Sequence, residues 1–205
     1  MYVSLEFQRL VEDEEKLQEL LNHRSLKRLI IRNLIWLRAV DSTQRYTQNE
    51  LRSVTEGDLV ISSIQTAGKG RENRSWFSQP GGLWMTITLR PPKLEILGEI
   101  SRLATTAIVT TLEYFELSGC SIKLPNDVYY QRRKIAGVLA DASVTGSSSI
   151  VYLGVGINVN NDPSEISDIS ETSTSFKLAT GRSLELHEFA AVFIENLDFE
   201  YDRIC

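Results

Sequence analysis

Apolar residues along this chain follow two spacings, one typical of β-strands and one typical of α-helices. Short apolar runs predict strands at Leu34–Leu37, Leu59–Ile64, Leu83–Leu89, Ser121–Lys123, Val128–Tyr130, Lys134–Ala142 and Ile150–Gly156. Helical spacing predicts one or two amphipathic helices within residues 1–33, a helix from the capping residue Ser42 to about Val54, and helices over Glu99–Phe115, Ser173–Thr180 and Leu186–Arg203. Strands and helices come in blocks, which favours an α+β sheet flanked by helices.

Composition and charge indicate an ordinary globular protein of one domain, or of one domain with an appendage. Of 205 residues, 42% are hydrophobic and 24% are charged, and the formal net charge is −5. The acidic balance argues against a general nucleic-acid binder, which would carry an excess of Lys and Arg. Cys120 and Cys205 build no disulfide framework, and no apolar run has the length of a membrane span or the form of a secretory signal. We therefore expect a reducing, cytoplasmic compartment.

The first predicted strand divides the chain into a helical extension, residues 1–33, and a main domain, residues 34–205. The extension mixes basic residues with the acidic run Glu12–Glu15. It is also short for a winged helix-turn-helix module, so we do not expect DNA binding. We expect it to pack against the main domain or to form a dimer contact.

A glycine-rich basic loop follows the second predicted strand. The run from Gln65 to Arg71 puts two glycines around a lysine and then adds an arginine. Glycine allows backbone N–H groups to turn towards a ligand, and cations beside them favour a phosphate or a carboxylate. The spacing matches neither the phosphate loop of the common nucleotide hydrolases nor the dinucleotide-binding glycine turn. By itself, the pattern also fits a flexible basic loop on the surface.

Four shorter motifs accompany the loop, namely Asp41–Gln44 before it and Lys123–Asp127, Lys134–Leu139 and Gly154–Asn160 after it. In this order they resemble the biotin protein ligases, also called biotin–[acetyl-CoA-carboxylase] ligases. That family carries Asp-Ser-Thr-Asn, Gly-Arg-Gly-Arg-Arg-Gly-Arg-x-Trp, Lys-Trp-Pro-Asn-Asp, Lys-Ile/Leu-Ala-Gly-Ile-Leu and Gly-Ile-Asn. The resemblance covers residues 34–160 closely and continues more loosely through the helical tail.

The resemblance implies a biotin/lipoate ligase-like (class II synthetase-like) catalytic domain over residues 34–205, with a mixed, largely antiparallel sheet flanked by helices. It implies that biotin and ATP, with Mg²⁺, form biotinyl-5′-AMP, and that a lysine of a biotin carboxyl carrier protein then takes the biotin. It also implies a homodimer. Family members usually end in a small β-barrel domain, which this sequence does not include, so we expect a separate chain to supply its role or the role to be lost.

The resemblance also assigns site residues. The catalytic set is Arg71, Lys123 and Lys134; Arg71 matches an arginine that pairs with phosphate, and Lys134 matches a lysine that reaches the biotin carboxylate. Biotin is expected to contact Ser42, Thr43, Gln44, Gln65, Gly68, Lys69, Gly70, Arg71, Lys134 and Gly137. ATP is expected to contact Arg71, Trp76, Lys123, Asn126, Asp127, Lys134 and Asn158, with Asp127 as the Mg²⁺ ligand.

Purely structural roles stay open for several of these residues. Ser42 fits a helix N-cap as well as a contact to the ureido group of biotin. The run Pro125–Asp127 fits a turn, because its residue types favour turns. Lys134 fits a surface lysine, Trp76 fits packing as well as a cover for adenine, and Asn158 fits a residue that satisfies local backbone groups.

Three positions depart from the family pattern. Lys69 replaces an arginine and loses the bidentate fork of the guanidinium. The pair Glu72-Asn73 replaces Arg-Gly and puts a carboxylate beside the phosphate site, and Leu124 replaces a tryptophan. We expect activity to survive these changes, with faster escape of the adenylate intermediate.

Three alternative functions remain. A lipoate–protein ligase shares the fold and the acyl-adenylate chemistry, but its Arg-Arg-x-x-Gly-Gly-Gly-x-Val-Tyr-His-Asp motif is absent. A biotin- or adenylate-binding subunit that works only with a partner chain is the second alternative, favoured by Glu72 and by the missing barrel. A transcriptional repressor is the third, and the acidic balance and short extension disfavour it.

Overall fold

The computed structural model describes residues 8–51 and 53–205, and for Asn73 it describes the backbone alone. At its centre is a sheet of seven strands in the order β1-β2-β3-β7-β6-β5-β4. The strands are β1 (Leu34–Leu37), β2 (Leu59–Ser62), β3 (Leu83–Leu89), β4 (Cys120–Lys123), β5 (Asp127–Tyr130), β6 (Arg133–Thr145) and β7 (Ser148–Ile157). Only β1 and β2 are parallel, which confirms the mixed, largely antiparallel sheet.

Helices cover the sheet. They are α1 (Val11–Asn22), α2 (Thr43–Asn49), α3 (Ile100–Tyr114), α4 (Phe176–Thr180) and α5 (Leu186–Asp202). Helix α5 packs against both α3 and α1, whereas α2 contacts β2, β3 and β7. Apolar residues of α1, α3 and α5 form one continuous core with the central strands.

Residue alternation gives the central strands two different faces. On β7, Leu153, Val155 and Ile157 belong to the buried core that contains α3 and α5. Gly154 and Gly156 lie between them, at the positions whose side chains would face the opposite side of the sheet. The sheet is therefore apolar towards the helical core and nearly bare of side chains over part of its other face, where a ligand can approach the backbone.

The N-terminal segment is tied to the main domain by apolar and polar contacts. Leu17, Leu21 and Leu29 are buried in the same core as the sheet. The Asp198 carboxylate on α5 accepts the backbone N–H groups of residues 27–29 at 2.7, 2.8 and 2.7 Å. Residues 1–7, the start of the predicted extension, lie outside the described residues.

Several predicted boundaries are confirmed and others are wrong. Strands β1 and β3 begin and end as predicted, and α3 lies within one residue of the predicted bounds at each end. The helix that begins after Ser42 ends at Asn49 and not near Val54. The helix predicted over Ser173–Thr180 begins at Phe176, because Ser175 caps it and Thr174 N donates to Lys134 O at 2.9 Å.

Both cysteines are free thiols. Burial raises the pKa of Cys120 to about 11, and burial also raises the pKa of Cys205, so both thiols stay protonated at neutral pH. In residues 8–51 and 53–205, no helix combines the length and apolar character needed to cross a membrane. Nor does that part of the chain bring three His, Cys, Asp or Glu side chains together as metal ligands.

Candidate active site

A cleft of about 390 Å³ opens over the glycine-bearing face of the sheet. Strands β6 and β7 form its floor, and the basic loop and the β4–β5 turn form its rim. The predicted site residues that line it are Ser42, Thr43, Gln44, Gln65, Lys69, Gly70, Arg71, Trp76, Lys123, Asn126, Asp127, Lys134, Gly137 and Asn158. Folding thus gathers motifs that are far apart in the sequence into one cleft.

Part of the floor is glycine, and Trp76 packs closely over it. A Cβ atom at Gly156 would lie 2.5 Å from Trp76 Nε1, and one at Gly137 would lie 3.2 Å from the indole ring. Gly137 and Gly156 are direct partners in the β6–β7 register. Trp76 therefore packs on the floor, where its buried Nε1 has no hydrogen-bond partner.

A neutral hydrogen-bond network lines one part of the cleft. Gln65 Oε1 accepts from the backbone N and the Oγ1 of Thr43, at 2.9 and 3.1 Å. Gln65 Nε2 donates to Ser78 Oγ at 2.7 Å, and Thr43 Oγ1 lies 2.9 Å from Thr86 Oγ1. Because each member holds the next in place, this network can present fixed donors and acceptors to an uncharged polar group.

The start of helix α2 reaches the same part of the cleft. Ser42 is buried, and its Oγ accepts the N–H of Arg45 at 3.4 Å, so the predicted N-cap is confirmed. Gln44 crosses to the sheet, where its Nε2 donates to the Tyr152 carbonyl oxygen at 2.9 Å. The same few residues therefore cap a helix, brace the sheet and line the cleft.

Among the residues that the structure describes, five cations line the cleft, namely Lys69, Arg71, Arg74, Lys123 and Lys134. Lys134 Nζ lies 2.7 Å from Asp127 Oδ1 and 5.0 Å from the centroid of the Trp76 ring. Lys123 Nζ lies 5.3 Å from the Tyr129 ring centroid. Such an excess of positive charge in a concave site favours an anionic ligand.

The basic loop is a small hairpin that leans over the cleft. Gly70 N donates to the Arg74 carbonyl oxygen at 2.7 Å, which closes the tip. Arg71 Nη1 then donates across the cleft to Asn126 Oδ1 at 3.3 Å. Asn126 is itself fixed, because its Nδ2 donates to the Val138 carbonyl oxygen at 2.9 Å. The loop and the β4–β5 turn are thereby linked.

Two predicted residues contribute in another way. Gly68 lies behind the cleft, in a neighbouring depression, and supports the loop. Asn158 lines the cleft, but its Nδ2 donates to the Thr174 carbonyl oxygen and its Oδ1 accepts from Asn161, both at 3.0 Å. The side-chain amide of Asn158 is thus hydrogen-bonded to neighbouring residues, as expected if its role is to satisfy local groups of the fold.

Thr172 and Ser173 line the cleft but carry no motif in the sequence. They reach it because the segment pairs with Lys134: Lys134 N donates to the Thr172 carbonyl oxygen at 2.8 Å, and an isolated parallel bridge joins Lys134 and Ser173. Gly156 was also missed, although glycines at alternate positions of an apolar strand indicate a close approach to the backbone.

Two glycines of the basic loop make a matched pair of variants. A Cβ at Gly68 would lie 2.5 Å from the Trp76 carbonyl oxygen, whereas one at Gly70 has no neighbour closer than 3.5 Å. We expect Gly68→Ala to lower the free energy of unfolding by about 1–3 kcal/mol, as overpacking does. Gly70→Ala should change it by less than about 0.5 kcal/mol. Urea denaturation measures both, and equal effects would contradict the packing role of Gly68.

The chain is similar to known proteins in sequence and in fold. The model of the biotin/lipoate A/B protein ligase family matches residues 36–158. The bifunctional ligase/repressor BirA of Bacillus subtilis is 34% identical over 184 residues, which are 86% of this chain and 56% of that protein. BirA of Escherichia coli is 30% identical over 165 residues, 78% of this chain and 51% of that protein. The chain thus spans about half the length of these curated relatives.

A solved structure supports the same relationship. The biotin protein ligase from Aquifex aeolicus, in complex with biotin and ATP, superposes with a TM-score of 0.74 at 32% sequence identity. The match covers 84% of this chain and 72% of that one. Because the family model takes in more than half of the sequence and the fold agrees, this chain belongs to the biotin/lipoate A/B protein ligase family.

Proposed function

We propose that this chain is a biotin protein ligase, which activates biotin with ATP and transfers it to a lysine of a biotin carboxyl carrier domain. One observation carries the proposal: the cleft joins a neutral hydrogen-bond network to a group of cations over a floor of glycine. Biotin has an uncharged ureido ring at one end and a carboxylate at the other, and ATP adds more negative charge. The A. aeolicus relative, a biotin protein ligase in complex with biotin and ATP, supports this choice, and the B. subtilis relative is named a ligase/repressor.

The first step needs positioning and charge neutralisation, and no protein nucleophile. The biotin carboxylate oxygen attacks the α-phosphorus of ATP, and pyrophosphate leaves. Two anions must therefore meet, and the cations of the cleft offset their repulsion. Lys134 is proposed to bridge the carboxylate and the α-phosphate. Its Nζ lies within the cleft, 2.7 Å from Asp127 Oδ1 and 5.0 Å from the centroid of the Trp76 ring.

The neutral network is proposed to hold the ureido ring. Gln65 and Thr43 are already fixed by each other, so little entropy is lost when they bind a ligand. Gly137, beside Lys134, is proposed to contact the acyl chain along the floor, and Ser42, Gln44, Lys69 and Gly70 complete the wall. Gly68 acts indirectly, through the loop.

The basic loop and the β4–β5 turn are proposed to hold the nucleotide. Arg71 would exchange its bond to Asn126 for a phosphate, because a guanidinium binds phosphate bidentately. Lys123 would add charge, Trp76 would face the adenine, and Asn158 would close the far wall of the site.

In the second step, the amine of a carrier lysine attacks the acyl carbon and AMP leaves.

Mg²⁺ fits this arrangement. It usually binds through one or two carboxylates and the phosphates of the substrate, and among the described residues that line the cleft Asp127 is the one carboxylate. Asp127 would hold the ion together with phosphate oxygens. The ion would supply further neutralisation of the phosphate charge.

The predicted homodimer rests on the resemblance alone and stays a prediction. The cytoplasmic location and the absence of DNA binding rest on composition and charge, and they stay predictions as well. The carrier itself is proposed by its chemistry, as a domain that presents one lysine to the activated acyl group.

Arg71→Gly is expected to release the adenylate faster. A hydrogen bond to a charged group contributes about 1.5–3 kcal/mol, which corresponds to about a 10- to 100-fold faster dissociation. Free adenylate should then biotinylate lysines with less selectivity. Release of labelled adenylate measures the effect. Arg203→Gly, at the exposed end of α5, is the control, and unchanged release in Arg71→Gly would contradict the assigned role.

Transfer is tested with labelled biotin and a biotin carboxyl carrier domain. The full chain should label that domain, and should not label a version whose acceptor lysine is replaced by arginine. Labelled lipoate is run in parallel because lipoate ligases share the fold. Labelling with lipoate and not with biotin would replace the proposal by its nearest alternative.

A further inference from the structure

Glu72 occupies the tip of the basic loop in a backbone conformation that residues other than glycine rarely adopt. Its φ is +57°, in the left-handed region. From there its Oε2 accepts a hydrogen bond from Arg74 Nη2 at 2.8 Å. The tip of the loop thus contains an ion pair of its own, between residues only two positions apart.

Arg74 differs from two other cations of the cleft in the location of its partner. Arg71 donates to the neutral amide of Asn126, and Lys134 pairs with Asp127, which itself lines the cleft. Arg74 lines the cleft as well, but it is held by Glu72, a carboxylate that lies outside the lining. Its charge is therefore partly neutralised by a group that does not line the cleft.

We propose that Glu72 competes with the phosphates of the nucleotide for Arg74, and so sets how tightly the cleft holds ATP and the adenylate. Before binding, the carboxylate satisfies the guanidinium. On binding, phosphate oxygens replace it and Glu72 is left to solvent. The inference rests on the proposed function, because it takes the anion at the loop to be the nucleotide. Glu72 is a positioning residue that acts through Arg74.

Because the side chains of Arg74 and Glu72 are both exposed, a phosphate can readily displace Glu72 from Arg74. The side chains of Arg74 and Glu72 are 73% and 69% exposed, and exposed ion pairs shift an equilibrium by only about two- to five-fold. The carboxylate also repels an incoming phosphate, an effect that salt screens over about 10 Å at 0.1 M. Both contributions act in the same direction: they weaken nucleotide binding without abolishing it.

The test measures the affinity of the full chain for ATP with magnesium chloride by calorimetry, which needs no turnover. We expect Glu72→Gln to lower the Kd by about two- to five-fold, and Glu72→Arg to lower it further. These gains should shrink at high ionic strength. Glu116→Gln should leave the Kd unchanged; Glu116 also has a positive φ, of 70°, and pairs with an arginine, Arg182, outside the cleft.

A second arm asks whether the effect passes through Arg74. In an Arg74→Ala background, Glu72→Gln should lose most of its gain. Equal Kd values for wild type, Glu72→Gln and Glu72→Arg would overturn the inference, and so would a gain that keeps its full size after the loss of Arg74. A graded affinity without any biotin-dependent exchange would keep this inference and overturn the ligase proposal. A lack of ATP binding in every variant would overturn both.

Discussion

Replacing Lys134 by alanine is expected to slow biotin-dependent exchange of pyrophosphate into ATP by about 10²- to 10³-fold, the loss typical when one preorganised donor to a reacting oxyanion is removed. Lys134 Nζ lies 2.7 Å from Asp127 Oδ1, so its removal also leaves a carboxylate unpaired in the cleft. That carboxylate, which is also the proposed Mg²⁺ ligand, would then lose the cation that helps to offset its charge. The expected defect is therefore in the chemical step and in the binding of both substrates.

Two variants make the Lys134 result specific. Lys134→Arg keeps the charge but changes its position, and it should recover only part of the rate. Lys177→Ala removes an exposed lysine of α4 that does not line the cleft, and it should exchange at the wild-type rate. A Lys134→Ala protein that is folded and exchanges within threefold of wild type would contradict the role given to this residue.

Asp198→Ala is expected to lower the free energy of unfolding by about 3–5 kcal/mol. The carboxylate is buried and accepts three backbone N–H groups of the segment that follows α1. Removing it leaves those donors without their partner, and each buried unpaired donor costs about 1–3 kcal/mol. Chemical denaturation of the full chain measures the change.

The control for Asp198→Ala is a variant of Asp202, which lies one turn further along α5. Asp202 pairs with Lys27 at 3.2 Å near the surface, so Asp202→Ala should cost less than about 1 kcal/mol. If Asp198→Ala cost no more than this control, the N-terminal segment would not be held by its backbone bonds to α5.

Apolar patterning was sufficient to predict elements that bury one continuous stripe or face. Strand β3 is buried at every position, and its apolar run begins and ends with the strand. Helix α3 buries a stripe at helical spacing despite its threonines. In both cases local sequence and tertiary packing favour the same structure, so the sequence alone contains the signal.

Predicted element boundaries were wrong where backbone groups pair with another segment and no apolar pattern marks the pairing. The far ends of β6 and β7 form a hairpin whose residues 141–148 are exposed, so no apolar alternation marks it and both strands were predicted too short. The segment before α4 was assigned to a helix. It is held extended by its bonds to Lys134, a contact between residues about 40 positions apart that no local pattern can reveal.

The candidate site was predictable to the extent that its residues form contiguous motifs. Lys123, Asn126 and Asp127 come from one turn, and Arg71 from one loop, so a resemblance could name them. Thr172 and Ser173 reach the cleft only through tertiary pairing. The sequence shows the Glu72 carboxylate beside the expected phosphate site, but the pairing of Glu72 with Arg74 became evident only from the geometry of the loop.

The central claim is that this chain makes an acyl-adenylate from biotin. The most direct test is the exchange of labelled pyrophosphate into ATP by the purified full chain, with biotin, with lipoate and with neither acid. We expect exchange that depends on biotin and is near background with lipoate or without an acid. Background exchange with biotin, from protein that is folded and binds ATP, would contradict it.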